Sequence, residues 1–93
     1  MSTGIAAIAA ERLRQIKAEG WTTEHDDAHE SGAMARAAAC YAQEAGGRLV
    51  HPPRGWPWEK SWWKPKDRRS DLVRAGALIA AEIERINRAV EKS

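Results

Sequence analysis

The sequence predicts an all-α domain: a compact unit of three main helices, with an irregular Trp/Pro-rich connection that has room for a short fourth. Three observations point there. Alanine supplies eighteen of the 93 residues and phenylalanine none; alanine is the strongest helix former, though it contributes little buried area per side chain. Apolar residues recur at separations of three and four in three separate stretches, which is the period of a helix face. Between those stretches lie Gly20, the Gly46-Gly47 pair and the cluster of Pro52-Pro53, Gly55 and Pro57, all of which end or interrupt regular structure. A chain of this length suffices for one domain, residues 1–93, and not for two.

The first helix is expected over residues 5–18. Ile5, Ala9, Leu13 and Ile16 share one face, with Ile8 and Arg12 alongside, and Ser2 or Thr3 is placed to cap it. Gly20 permits a sharp change of direction, and Trp21 is positioned to cover the helix end. A hydroxyl of Thr22 or Thr23 can cap a short turn carrying Glu24 to His29, where acidic side chains suit the first helical turn. The second main helix is expected over 32–45, with Ser31 as its cap. Met34, Ala38, Tyr41 and Ala45 form its apolar path, widened by Ala37 and Ala42. Cys40 sits among alanines and reads as a buried thiol; a single cysteine excludes an intramolecular disulfide.

After Gly46-Gly47 the composition changes. Trp56, Trp58, Trp62 and Trp63 crowd into eight positions, and Pro57 can open a short helix over 57–62 that clamps across the main ones. The third main helix is expected over 68–90, with Asp67 or Ser70 as cap. Leu72, Gly76, Ile79, Ile83, Ile86 and Val90 alternate separations of four and three, an a/d-type seam broadened by Val73 and Ala80. Gly76 inside that helix implies close approach of another backbone. Glu84 and Arg88 stand at i,i+4, the spacing of a helix-surface ion pair.

The net charge of +2 conceals an asymmetry. Glu19 to Glu30 holds five acidic residues and no Lys or Arg, whereas Arg48 to Arg74 holds eight basic residues against Glu59, Asp67 and Asp71. Facing each other, the two stretches form a polar network; apart, the basic one is an anion-binding surface. No apolar run approaches the roughly 20 residues of a bilayer span. Residues 5–10 are too short for a signal peptide and lack a basic leader, so the expected residence is cytoplasmic, without a membrane partner.

The residues with chemistry fall into two groups. Glu24, His25, Asp26, Asp27 and His29 gather oxygen and nitrogen donors within six positions. On a helix His25 and His29 share a face, as do Asp26 and Glu30. With Asp26, the two histidines are the candidate metal set, although the spacing is neither H-E-x-x-H nor an EF-hand loop, and no cofactor is favoured. In the second group, Trp58 and Trp62 can stack on a base while Lys60, Lys64, Lys66, Arg68 and Arg69 can approach phosphate oxygens, with Lys64, Lys66 and Arg69 the favoured contacts. No P-loop glycines are present. The acidic block disfavours a long nucleic acid and leaves a nucleotide-like small anion as the better-matched partner.

The segments Glu19-Gly20-Trp21-Thr22, Glu24-His25-Asp26-Asp27 with His29, Trp56-Pro57-Trp58 and Trp62-Trp63-Lys64-Pro65-Lys66-Asp67-Arg68-Arg69 together resemble a recurrent type of small bacteriophage or prophage protein. Asp71 to Ile79 and Glu84-Arg85 extend that likeness over nearly the whole chain. The resemblance implies a phage accessory or counter-defence role and assigns no catalytic residue. Small phage proteins that sequester host nucleotide signals offer an analogy in size and helical character.

The expected function is therefore binding or sequestering a nucleotide-like anion by a homo-oligomer, with a dimer as the base-rate state. One alternative is a nucleotide hydrolase using a divalent metal. Helical pyrophosphohydrolases pair E-x-x-E with E-x-x-D, of which only Glu24 to Asp27 fits, with Glu11, Glu19, Glu82 and Glu84 elsewhere. The other alternative is a module that docks its apolar seam on a host protein.

Overall fold

A computed structural model describes residues 3–29, 31–47 and 52–92. Ser2, Glu30 and Arg48, which figure among the expected cap, acidic-block and basic-segment residues, lie outside that set. Among the described residues four α-helices follow in order, α1 Gly4–Glu19, α2 Thr23–Asp27, α3 Ala33–Gly46 and α4 Arg68–Lys92, and a 3-10 turn, Lys60–Trp62, stands between the last two. No strand occurs among the described residues. The three long helices match the all-α architecture read from the sequence.

Local chemistry sets each boundary. Thr3 Oγ1 accepts from the Ala6 amide at 3.2 Å and starts α1. Gly20, at a φ of 71°, ends it in the left-handed region that side chains other than glycine rarely adopt. The amides of Gly20 and Trp21 both donate to the Gln15 carbonyl, which turns Trp21 back toward the domain. Thr22, rather than Thr23, caps α2 by accepting from the His25 amide at 3.4 Å. Gly32 begins α3 at a φ of 82° with no side-chain cap. The expected Ser31 cap is replaced by a backbone role, its carbonyl accepting from Arg36 Nη1 at 2.7 Å. Asp67 caps α4, its two carboxylate oxygens accepting from the Ser70 amide at 2.8 Å and hydroxyl at 2.9 Å.

α3 and α4 form the core. Met34, Ala37, Ala38 and Tyr41 meet Ala75, Leu78 and Ala81, all buried, and Trp21, Trp56, Trp58 and Trp63 close over them. Alanines on both helices let the backbones approach, and the indoles supply the large apolar surface that alanine lacks. The pair runs antiparallel, since Arg68 Nε donates to the Ala45 carbonyl and Arg74 Nη1 to the Tyr41 hydroxyl. Ala42, expected to widen the buried path of α3, is exposed. Cys40 is buried, and that burial pushes its thiol above the ordinary value.

Three local expectations are corrected. The buried side of α1 is not the Ile5, Leu13 and Ile16 face, whose members are all exposed; it carries Gln15, with Ile8, Glu11 and Arg12 half-buried. The close neighbour of Gly76 is a side chain and not a backbone, because a Cβ there would collide with Cδ1 and Cγ1 of Ile8. Glu84 and Arg88 do not pair with one another: Glu84 accepts from Arg12 at 3.0 Å, and Arg88 donates to Asp27 at 2.7 Å. In addition, the short helix expected over 57–62 contracts to the 3-10 turn. The Trp62 and Trp63 amides reach back three residues to the carbonyls of Glu59 and Lys60, and Trp56 Nε1 occupies the Glu59 carbonyl as well.

Candidate functional site

The turn around α2 and the tryptophan-rich connection meet. Capped by Thr22, α2 projects His25 from its first turn. The His29 amide then donates to the Asp26 carbonyl and keeps the second imidazole on the same side. Trp21 stacks on His25 with ring centres 5.3 Å apart and planes 11° from parallel. His25 meets His29 at 4.9 Å, His29 meets Trp58 at 5.3 Å, and Trp58 returns to Trp21 at 6.2 Å. These four rings close a circuit. Behind it, Trp58 touches Trp56 at 5.4 Å, and Trp56 contacts Tyr41 and Trp63, so the rings are tied into the α3–α4 core.

The circuit forms one wall of a cleft of about 710 Å³. Pro57, Glu59, Lys60 and Trp62 complete the lining. Trp62 is 51% exposed and holds Lys64 Nζ 5.4 Å from its ring centre, a cation–π contact at the rim. A second, much smaller space of about 30 Å³ lies against the inner side of the same indoles. Gln15 lines it, buried and with Oε1 unpartnered, while its Nε2 donates to Glu11 at 3.2 Å.

Asp26 anchors the site from beneath and is wholly buried. Its Oδ2 accepts from Arg12 Nη2 at 3.2 Å, and its Oδ1 lies 3.0 Å from His25 Nδ1. A carboxylate can only accept, so the shared proton rests on Nδ1, and a neutral His25 is left with its lone pair on Nε2. Burial, followed by the neighbouring His25, pushes His29 below the usual imidazole value of 6.5, against the pull of Asp26 and Glu82. Folding therefore favours neutral His29. That contribution is complete above pH 6.5 and is lost as the pH falls through the depressed folded-state value. The melting temperature is expected to drop on acidification below 6.5, and His29→Gln to flatten the profile in that window. Thermal melts read both, and ring-proton titration by NMR reads the folded pKa directly.

Of the ten residues expected to hold a ligand, His25, His29, Trp58 and Trp62 line the cleft, and Lys64 stands beside it through Trp62. The other five serve elsewhere. Glu24 is exposed, held below the ordinary carboxylate range by its own backbone amide and then by the hydroxyls of Thr22 and Thr23. Asp26 is consumed by Arg12 and His25. Asp27 is ion-paired to Arg88 and, at 3.8 Å, to Lys92, with the Arg88 hydrogen bond keeping its carboxyl low. Lys66 and Arg69 line a separate groove with Glu11 and Arg14 between α1 and the start of α4, where the Lys66 amide donates to Asp71.

Among the described residues no three His, Cys, Asp or Glu side chains are grouped to hold a metal, so His25, Asp26 and His29 do not form such a set. The expected ligand set omits four of the lining residues. Trp21 reads from the sequence as a cover for the end of α1, Pro57 as a helix start and Lys60 as one of several cations able to approach phosphate, while Glu59 carries no distinguishing pattern. No helix of the described residues is long and apolar enough to cross a membrane. No family model, curated protein or solved structure matches the chain.

Proposed function

We propose that this chain binds and sequesters a nucleotide-like anionic small molecule in the cleft between α2 and the tryptophan-rich connection, as a phage-type accessory protein acting against a host signal in the cytoplasm. The observation that carries the reading is the closed circuit of Trp21, His25, His29 and Trp58 beside Trp62. At about 710 Å³ the cleft falls within the roughly 300–1,000 Å³ range of small-molecule sites. Indole faces accept a planar base regardless of its edge chemistry, each stack contributing about 1–3 kcal/mol. His25 Nε2 offers an acceptor for a base N–H, and Lys60 and Lys64 bring positive charge to the rim for a phosphate. The phage context follows from the sequence resemblance, and the choice of binding over turnover from the commitment of Asp26 and Asp27 to arginines.

Trp62 separates ligand binding from folding. It lines the cleft, is half exposed and is not among the indoles packed on the core. Trp62→Ala is expected to weaken binding of the best ligand in a panel of linear and cyclic nucleotides by about 10–100-fold. Its stability should stay within about 0.5 kcal/mol of the parent. Isothermal calorimetry and urea unfolding provide the two readings. A parent protein that binds no member of the panel, or a variant with undiminished affinity, rules the proposal out.

A further inference from the structure

The longest helix is partnered on only part of its circumference. α4 turns Ala75, Leu78 and Ala81 to α3 and receives Ile8 of α1 over Gly76, yet Leu72, Ile79, Ile83, Ile86 and Val90 are 46–67% exposed. Isolated exposed aliphatics are ordinary on a protein surface; a continuous stripe is not. This one runs from position 72 to 90, a length of roughly 27 Å at 1.5 Å per residue, with Ile8 of α1 filling the gap at Gly76 and the members from Ile79 onward repeating every four and three residues. That period lets the knobs of one helix fill the holes of another along a common seam. By helical geometry its margins carry Ala80, Asn87 and Ala89, none of which obstructs a second backbone. Within its span, Glu82 at the margin is paired with Arg85 at 2.6 Å.

We propose that this stripe is the contact with a second copy of the chain, two α4 helices packing antiparallel about a two-fold axis. Area supports the choice of occupant. The five side chains expose on the order of 500 Å² per protomer, so pairing two stripes buries on the order of 1,000 Å², the lower bound for a specific interface. Charge selects the direction. Arg69 stands at the beginning of the stripe and Glu91 at its end, both exposed. A parallel pair would set each against its own kind, whereas an antiparallel pair brings Arg69 beside the partner's Glu91 and opposes the helix dipoles. Leu72 then faces the partner's Val90, and Ile79 the partner's Ile83, which satisfies two-fold symmetry residue by residue.

Light scattering after size exclusion should give twice the 10.3 kDa chain mass at micromolar concentration. Ile83→Glu buries two uncompensated carboxylates in the centre of the pair and should raise the dimer dissociation constant about 100-fold or more. The variant is expected to keep parental helicity by circular dichroism, because residue 83 is exposed within one chain. A monomeric parent, as a stripe reserved for a host protein would give, overturns the proposal, and so does an Ile83→Glu protein that remains dimeric. Should Ile83→Glu lose helicity, the charge pair decides. Arg69→Glu should weaken the dimer about tenfold and Arg69→Glu/Glu91→Arg restore it; no restoration overturns the antiparallel pairing.

Discussion

Asp26→Ala is expected to lower the unfolding free energy by about 3–5 kcal/mol, the cost of removing one partner from a buried ion pair. Against a typical total of about 5–15 kcal/mol, that leaves a marginal fold. The reason lies in what remains. Arg12 is only 11% exposed, its Nη1 has no partner, and without Asp26 its other acceptor is Glu84, itself half solvated. The same substitution releases His25 Nδ1 and loosens the first imidazole of the aromatic circuit. Asp26→Asn keeps the shape and one acceptor but loses the charge, so a smaller cost of about 1–3 kcal/mol is expected. Urea unfolding at neutral pH orders the three proteins. An alanine variant as stable as the parent would mean that Arg12 relaxes to solvent and that Asp26 is not the post on which α1 and α2 meet.

The helices were legible because their signals are local. Thr3, Thr22 and Asp67 cap the positions where a hydroxyl or carboxylate finds free amides, and Gly20 stops α1 where only glycine takes the required φ at little cost. Which face each helix buries was less legible. In α1 the isoleucines and Leu13 keep helical period, yet Gln15 and Arg12 face inward because α1 meets Asp26, Arg74 and Glu84, charged groups brought from far along the chain. The i,i+4 pair of Glu84 and Arg88 failed for a related reason. Each is drawn to a partner on another element, where lower exposure strengthens the attraction, while a surface pair contributes only a few tenths of a kcal/mol.

The candidate site shows the same division. Its two halves stood out as donor-rich and tryptophan-rich sequence, but their meeting depends on the reversal at Gly20 and on the 3-10 turn at Lys60–Trp62. The acidic block and the basic stretch did not pair as blocks. Asp26 and Asp27 are neutralised by Arg12 and Arg88, one before and one after the basic stretch, and Lys66 and Arg69 line a separate groove between α1 and the start of α4.

Trp58→Ala should damage stability and ligand binding together, where Trp62→Ala separates them. Trp58 is the joint between the two aromatic groups, touching Trp21 and His29 on the cleft side and Trp56 on the core side. Truncating a fully buried indole costs about 3–5 kcal/mol; Trp58 is half-buried, so about 2–4 kcal/mol is expected. Opening the circuit also removes the support that holds His29 at the cleft wall, so affinity for the same nucleotide should fall by at least 100-fold, more than for Trp62→Ala. Trp58→Phe keeps a ring and should recover part of both losses. The coupling is measurable separately: a double-mutant cycle of Trp58→Ala with His29→Gln should return about 0.5–1.5 kcal/mol of interaction between the two rings. Full binding by Trp58→Ala would place the ligand elsewhere, while zero coupling in the cycle would mean that the His29–Trp58 contact contributes no energy and that the two halves of the site are held together through Trp21 alone.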